Sequence, residues 1–190
     1  MVKDIKMPEN VKMILDKLSS KGYEAVIIGG CVRDSIMGIE PHDWDIATSA
    51  QPEEIIECFK HYNLMKAGLK HGTVTVIIDH EPYEITTYRI DGEYSDHRRP
   101  DSVDFTCDLA EDIMRRDFTI NAIAYDGENI IDLHDGIGDL QKGIIRCVGN
   151  ANARFREDPL RILRAIRFAA RFGFEIEEST KKAMFDNCDM

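Results

Sequence analysis

Apolar positions along the chain recur with two periods, one of three to four residues and one of two, and segments of the two kinds alternate. Val11, Ile14, Leu15 and Leu18 fall on one helical face, and Gly22 ends the helix they predict. Ala25-Val26-Ile27-Ile28 reads as a short buried strand ending in Gly29-Gly30, with a helix over Val32–Met37 behind it. After a loop, Trp44-Asp45-Ile46-Ala47 reads as another strand. Pro52–Lys60 reads as a helix, with proline near its first turn, where the missing N–H costs nothing. Thr73–Ile78 and Tyr83–Arg89 read as strands of a hairpin around Asp79-His80-Glu81-Pro82. Asp91–Ser102 is polar, has no apolar period and is expected to be a mobile loop.

From Asp108 onward the pattern turns mostly helical. Asp108–Arg115 and Asp117–Tyr125 read as helices, and Ile130-Ile131-Asp132 and Ile144–Val148 as short strands. Asn150–Phe172 is a long helical stretch with a break expected at Pro159, and Leu163, Ile166, Ala170 and Phe174 mark its apolar face. Ser179–Phe185 begins a further helix, and the chain stops five residues later, as a fragment of a longer protein would. This alternation points to an α+β or α/β chain.

Composition narrows the class. The chain has 190 residues, 43% of them hydrophobic, enough for one sizeable core or a domain plus part of another. No apolar run approaches the roughly 20 residues that span a bilayer, and Met1-Val2-Lys3-Asp4-Ile5-Lys6 has no signal-peptide apolar region, so no membrane partner is expected. The five cysteines are scattered without a CxxC pair, which points to a reduced, cytoplasmic protein rather than a disulfide framework or zinc knuckle. The net charge of −11 argues against a general nucleic-acid-binding surface. An RNA-binding surface would have to be local or carried by sequence outside these residues.

Against that background three groups of residues carry candidate chemistry. Gly29-Gly30, between a strand and a helix, lets backbone N–H groups approach a phosphate, and Arg33 lies one turn on. Alone, such a junction is commonly a tight turn. Asp43-Trp44-Asp45, read as strand, puts two carboxylates on one face with α-carbons about 6–7 Å apart. Like charges so placed are costly unless a cation sits between them, and an oxygen-only ligand set favours magnesium or manganese. Alone, a D-x-D is commonly a solvated acidic loop. Glu84, on the strand Tyr83–Arg89, is a candidate third carboxylate for a two-metal arrangement, or else a solvent-facing strand residue.

Together, Gly29-Gly30-Cys31-Val32-Arg33-Asp34 and Asp43-Trp44-Asp45-Ile46-Ala47-Thr48 resemble the first motif of the class II tRNA nucleotidyltransferases, the CCA-adding enzymes and bacterial poly(A) polymerases of the DNA polymerase β-like superfamily. The resemblance implies a small mixed sheet flanked by helices as a nucleotidyltransferase head over residues 1–148, and the start of a helical neck over 149–190. It implies that Gly30 and Arg33 bind a triphosphate and that Asp43 and Asp45 hold two Mg2+ ions. The reaction implied is attack of an RNA 3′-hydroxyl on the α-phosphate, with pyrophosphate released. Arg115-Arg116-Asp117-Phe118-Thr119-Ile120-Asn121-Ala122 resembles the ribose-binding motif, in which Asp117 accepts from ribose hydroxyls and Arg116 contacts phosphate or base. Ile131–Leu140 with Ile144-Ile145-Arg146 resembles the third motif and reads as structural, with His134 a loop residue. Glu93–Pro100 resembles the flexible loop of full CCA-adding enzymes.

Arg156-Glu157-Asp158-Pro159-Leu160-Arg161-Ile162-Leu163-Arg164-Ala165-Ile166-Arg167 resembles the segment that serves the family as a protein template. On a helix, Asp158 and Arg161 share a face, and Arg164 and Arg167 follow at the same spacing. Cytosine and adenine pair an amino donor with a ring-nitrogen acceptor, and uracil and guanine present the reverse, so a carboxylate beside a guanidinium accepts the first two and rejects the others. The bland alternative is an amphipathic helix with a charged side. The resemblance implies CTP, ATP and a tRNA 3′ end as partners. It leaves open a poly(A) polymerase, a CC-adding or A-adding enzyme and, remotely, a nucleotide-binding module without catalysis.

Overall fold

The computed structural model describes residues 5–98 and 100–189. Most of the N-terminal segment read for a signal (Met1–Asp4), Arg99 of the 91–102 loop and Met190 lie outside the described residues. In chain order the elements are α1 (Glu9–Ser19), β1 (Ala25–Ile28), α2 (Gly30–Ile36), β2 (Ile46–Thr48), α3 (Pro52–Cys58), β3 (Asn63–Met65), β4 (Thr73–Ile78), β5 (Glu81–Thr87), β6 (Arg89–Asp91) and β7 (Val103–Phe105). There follow α4 (Leu109–Met114), β8 (Ile123–Tyr125), β9 (Ile130–Asp132), α5 (Gly136–Lys142), β10 (Ile144–Ile145), α6 (Ala151–Glu157), α7 (Leu160–Phe172), β11 (Glu175–Ile176) and α8 (Glu178–Asp186).

Among the described residues the main sheet has seven strands in the order β3-β4-β5-β2-β1-β8-β9. Within that sheet, among the described residues, only β2 and β5 pair in parallel, through Ile46↔Ile85 and Thr48↔Thr87, so the sheet is mixed as expected. Strand alternation divides the apolar side chains between two faces. Ile27, Ile46 and Ile85 pack with the helical residues Val11, Ile14, Leu18 and Ile55 and with Phe59, which follows α3. Val26, Ile28 and Ala47 pack on the other face with Tyr88, Leu109 and Ile113. Phe155, Ala165, Phe168 and Ala183 of the C-terminal helices join the first of these clusters, so the sheet and those helices share one core.

Several expectations hold closely. The helical stripe of α1 is buried at Val11, Ile14, Leu15 and Leu18, each contributing about 1.5–3 kcal/mol. The hairpin of β4 and β5 turns tightly at Asp79 and His80, both at positive φ. Asp108 caps α4 by accepting from Ala110 N at 2.8 Å. The third motif is structural: a Cβ on Gly136 would meet the Thr119 carbonyl oxygen at 2.3 Å, and buried Asp139 accepts from Thr119 Oγ1 at 2.7 Å.

Three expectations are corrected, and the 91–102 loop is described in more detail. Asp117–Tyr125 is not a helix. Thr119–Asn121 forms one 3-10 turn, and Ile123–Tyr125 is a fully buried strand between β1 and β9. A short apolar run buried on both faces carries no period by which to tell strand from helix. Strand β2 begins at Ile46 rather than Trp44, because its partner β1 ends at Ile28, where Gly29 turns away at φ 88°. The 91–102 loop is tied by Gly92 N to Ser102 O at 2.9 Å and Asp101 N to Glu93 O at 2.8 Å, and its flanks pair as β6 and β7. Helix α7 turns Arg161, Ala165 and Phe168 inward and leaves Leu163 (62% exposed) and Ile166 (49% exposed) to solvent. A carbon count over a helix with four arginines cannot select the inward stripe when one arginine belongs to it.

Candidate functional site

The chain leaves β1 through Gly29, whose backbone takes a φ of 88° that a side chain would strain. A Cβ there would also lie 3.3 Å from Nη1 of Arg116, so glycine lets that guanidinium lie across the turn. Gly29, the N-cap of α2, carries no side chain that could cap the first N–H groups of the helix. Arg33, one turn on, is buried. Its Nε and Nη2 each reach Asp34 Oδ1 at 2.7 Å, its Nη1 donates to Asn121 Oδ1, and its plane lies over the Phe168 and Phe172 rings at 5.3 and 5.0 Å.

Asp43 and Asp45 precede β2 instead of lying within it, yet both reach one cleft. Asp45 continues the ladder, its carbonyl accepting from Ile28 N at 3.1 Å, and both carboxylates line a small cleft with Gly30 and Asp34. The Asp45 carboxyl is raised above its ordinary value by burial, with Arg116 opposing and the Asp43 charge adding to the rise. Neither aspartate forms an ion pair among the described residues. An adjoining cleft of about 630 Å³ holds Asp43, Asp45 and Glu84 in its walls. The third-ligand expectation for Glu84 is not assembled: among the described residues no three His, Cys, Asp or Glu side chains gather at metal-binding distance.

A cleft of about 470 Å³ runs from this corner along α7. Its walls carry Gly29, Gly30 and Asp45 at one end and Asp158 and Arg161 at the other. Seven arginines and three aspartates line it, a strongly basic surface inside a chain of net charge −11. The charge objection raised by composition is thus met locally, because the basic residues are gathered rather than spread.

Most of these arginines are already held. Fully buried Asp112 accepts from Arg115 Nη2 at 2.8 Å and from Arg116 Nη2 at 3.0 Å, while Arg116 Nε is buried with no hydrogen-bond partner. Asp112 is lowered from its ordinary value: burial pushes it up, and the two guanidiniums more than offset this. Asp117 accepts from Phe118 N at 2.8 Å, from Asn121 Nδ2 at 3.1 Å and from Arg164 Nε at 2.7 Å, so the expected ribose acceptor faces the cleft tied to α7.

The expected template pair is arranged differently from the expectation. Asp158 is not on a helix. The residue before a proline is pushed toward extended geometry, and Asp158 sits at φ −144°, ψ 96° in the break between α6 and α7. Its Oδ1 accepts from Leu160 N at 3.0 Å. Arg161 turns away from it, to Glu157 Oε2 at 2.9 Å and to the carbonyls of Arg154 and Arg115. Both residues still line the same end of the cleft, with Arg164 and Arg167 further along. Sequence reasoning missed Arg115, Asn121, Phe168 and Arg171 in this lining. The repeated Arg-Phe of Arg167-Phe168-Ala169-Ala170-Arg171-Phe172 was the available signal.

A mixed sheet whose glycine turn, carboxylate pair and arginine-bearing helix meet in one cleft is the nucleotidyltransferase head fold. The chain belongs to the poly A polymerase head domain family, whose family model matches residues 25–146. It is 55% identical over 173 residues to the CCA-adding enzyme of Oceanobacillus iheyensis, covering 90% of this chain and 43% of that protein. Among solved structures it resembles the Bacillus stearothermophilus CCA-adding enzyme in complex with CTP, with 41% identity and a TM-score of 0.86 over 96% of this chain and 45% of that one. It also resembles a tRNA nucleotidyltransferase complexed with a primer tRNA and an incoming ATP analog, with 32% identity and a TM-score of 0.76 over 93% of this chain and 50% of that one. The chain thus spans about half the length of the proteins it matches, or less.

Proposed function

We propose that this chain is the catalytic part of a template-independent nucleotidyltransferase that adds CCA to tRNA 3′ ends from CTP and ATP, in the cytoplasm. The observation that carries the reading is the single cleft joining the Gly29–Gly30 turn, Asp45, Asp117 and the arginines of α7. Its resemblance to a CCA-adding enzyme in complex with CTP supports the choice of substrate. Residues 1–148 would form the catalytic head and 149–190 the start of a neck that reads the base.

Asp43 and Asp45 fit divalent ions. They are close enough for one charge to raise the other carboxyl, no ion pair relieves them among the described residues, and magnesium is typically bound by one or two carboxylates plus substrate phosphates. Two Mg2+ ions bound there would activate the RNA 3′-hydroxyl and neutralise charge at the α-phosphate and the departing pyrophosphate. The chain's own residues supply position. The Gly29–Gly30 turn admits the triphosphate with Arg33 and Arg116 beside it, and Asp117, steadied by Arg164, accepts from the ribose. Asp158 accepts the amino group of cytosine or adenine, with Arg161 and Arg167 as neighbouring donors.

The experiment is incorporation by the full chain on tRNA lacking its CCA end, with CTP and ATP supplied separately and then together. Growth that stops after C-C-A supports the reading. An open-ended A tail makes the protein a poly(A) polymerase, and a halt after two nucleotides makes it a CC-adding enzyme.

A further inference from the structure

Not every arginine of the cleft is committed. Arg33, Arg115, Arg116, Arg161 and Arg164 each donate to a carboxylate within 3.0 Å, whereas among the described residues Arg167 and Arg171 donate no hydrogen bond. These two stand one helical turn apart on α7, and each is propped on the ring that follows it: Arg167 over Phe168 at 5.1 Å, Arg171 over Phe172 at 5.1 Å. The two rings are stacked, 5.9 Å apart and 3° from parallel, so the guanidiniums are held side by side without spending their donors.

Position distinguishes them. Along α7 the break before the helix carries Asp158, Arg164 meets Asp117, and Arg171 comes last, lining also the small cleft that holds Gly30, Asp43 and Asp45. Its nearest acid, Asp34 Oδ2, is 3.9 Å away, and the other oxygen of that carboxylate already takes Arg33 at 2.7 Å. The side chain is half exposed and costs little to reorient.

On the proposed nucleotide reading, we propose that Arg171 binds the terminal phosphates of the incoming nucleotide and holds the pyrophosphate as its bond to the α-phosphorus breaks. A planar fork with free donors beside the carboxylate corner suits that anion. Base and ribose lie further back along the helix, so the contact is specific to the polyphosphate.

The test is equilibrium binding of CTP, CMP and inorganic pyrophosphate, with magnesium, to the full chain and its R171Q and R171K variants. R171Q should weaken CTP and pyrophosphate about tenfold and leave CMP unchanged, with R171K between the two. A parallel loss of CMP affinity makes the residue structural and overturns the proposal, as does unchanged CTP affinity in R171Q. Wild-type chain that binds no CTP fails the nucleotide reading itself, and the assignment of Arg171 falls with it.

Discussion

The two ends of the cleft differ in how their charges are settled. At the carboxylate corner, Asp43 and Asp45 line one cleft without an ion pair among the described residues, and burial, with the Asp43 charge adding and Arg116 opposing, raises Asp45. Along the arginine wall, Asp112 and Asp117 take up guanidiniums at 2.7–3.0 Å, and among the described residues Arg167 and Arg171 donate no hydrogen bond, Arg171 approaching Asp34 only to 3.9 Å. On the proposed reading, a metal-bound polyphosphate would pair with both sets of charges at once, and unsettled charge would mark its position better than the number of charged residues does, because the settled pairs mainly hold the wall in shape.

The largest effect should come from the unsettled acids. Asp45→Ala or Asp43→Ala should cut nucleotide incorporation about 10³-fold while leaving the thermal melting curve nearly in place. A variant with near-normal incorporation would remove the carboxylates from the chemistry. The settled side should respond in the opposite sense. Asp112→Asn leaves Arg115 and Arg116 without their buried partner and should cost about 3 kcal/mol in denaturant titration. Stability within a few tenths of wild type would mean the wall stands without its acid.

At the far end, Asp158→Ser keeps an acceptor for Leu160 N but removes the carboxylate. Discrimination of CTP and ATP against UTP and GTP should fall about 10- to 100-fold in kcat/KM. Equal loss for all four nucleotides would assign Asp158 to folding instead. The smallest effect lies away from the cleft. Glu177 caps α8 by accepting from Thr180 N at 2.8 Å. Burial alone would raise its carboxyl, but hydrogen bonds from Ser179 and Thr180 prevail and bring it down to about 2. A depressed carboxyl stabilises the fold above its unfolded value and loses that contribution as pH falls toward the folded one. Glu177→Gln should therefore cost about 1 kcal/mol at neutral pH, with the gap to wild type closing between about pH 4.5 and pH 2. A gap that does not change with pH would show that the charge contributes nothing.

Much of this was legible in the chain. The α1 stripe, β1 with its Gly-Gly exit, the β4–β5 hairpin and the break at Pro159 all follow from periodicity and turn chemistry, which act between near neighbours. The strand Ile123–Tyr125 was hidden because burial on both faces erases alternation. The inward face of α7 was hidden because Arg161 belongs to it, paired with Glu157 and two carbonyls.

By itself the sequence determined which segments coil or extend, where they turn, and which residues were equipped for phosphate and cation chemistry, because dihedral preferences and side-chain charge are local properties. Tertiary structure decided which of the seven cleft arginines are spent on aspartates, glutamates and carbonyls and which stay free. It also decided that Glu84 shares a cleft with Asp43 and Asp45 without the three gathering at metal-binding distance among the described residues, and that Asp158 lies in a helix break beside the cleft. Those outcomes depend on partners tens of residues away in the chain, and no spacing rule encodes which acid will meet which base once the sheet and the C-terminal helices close on each other.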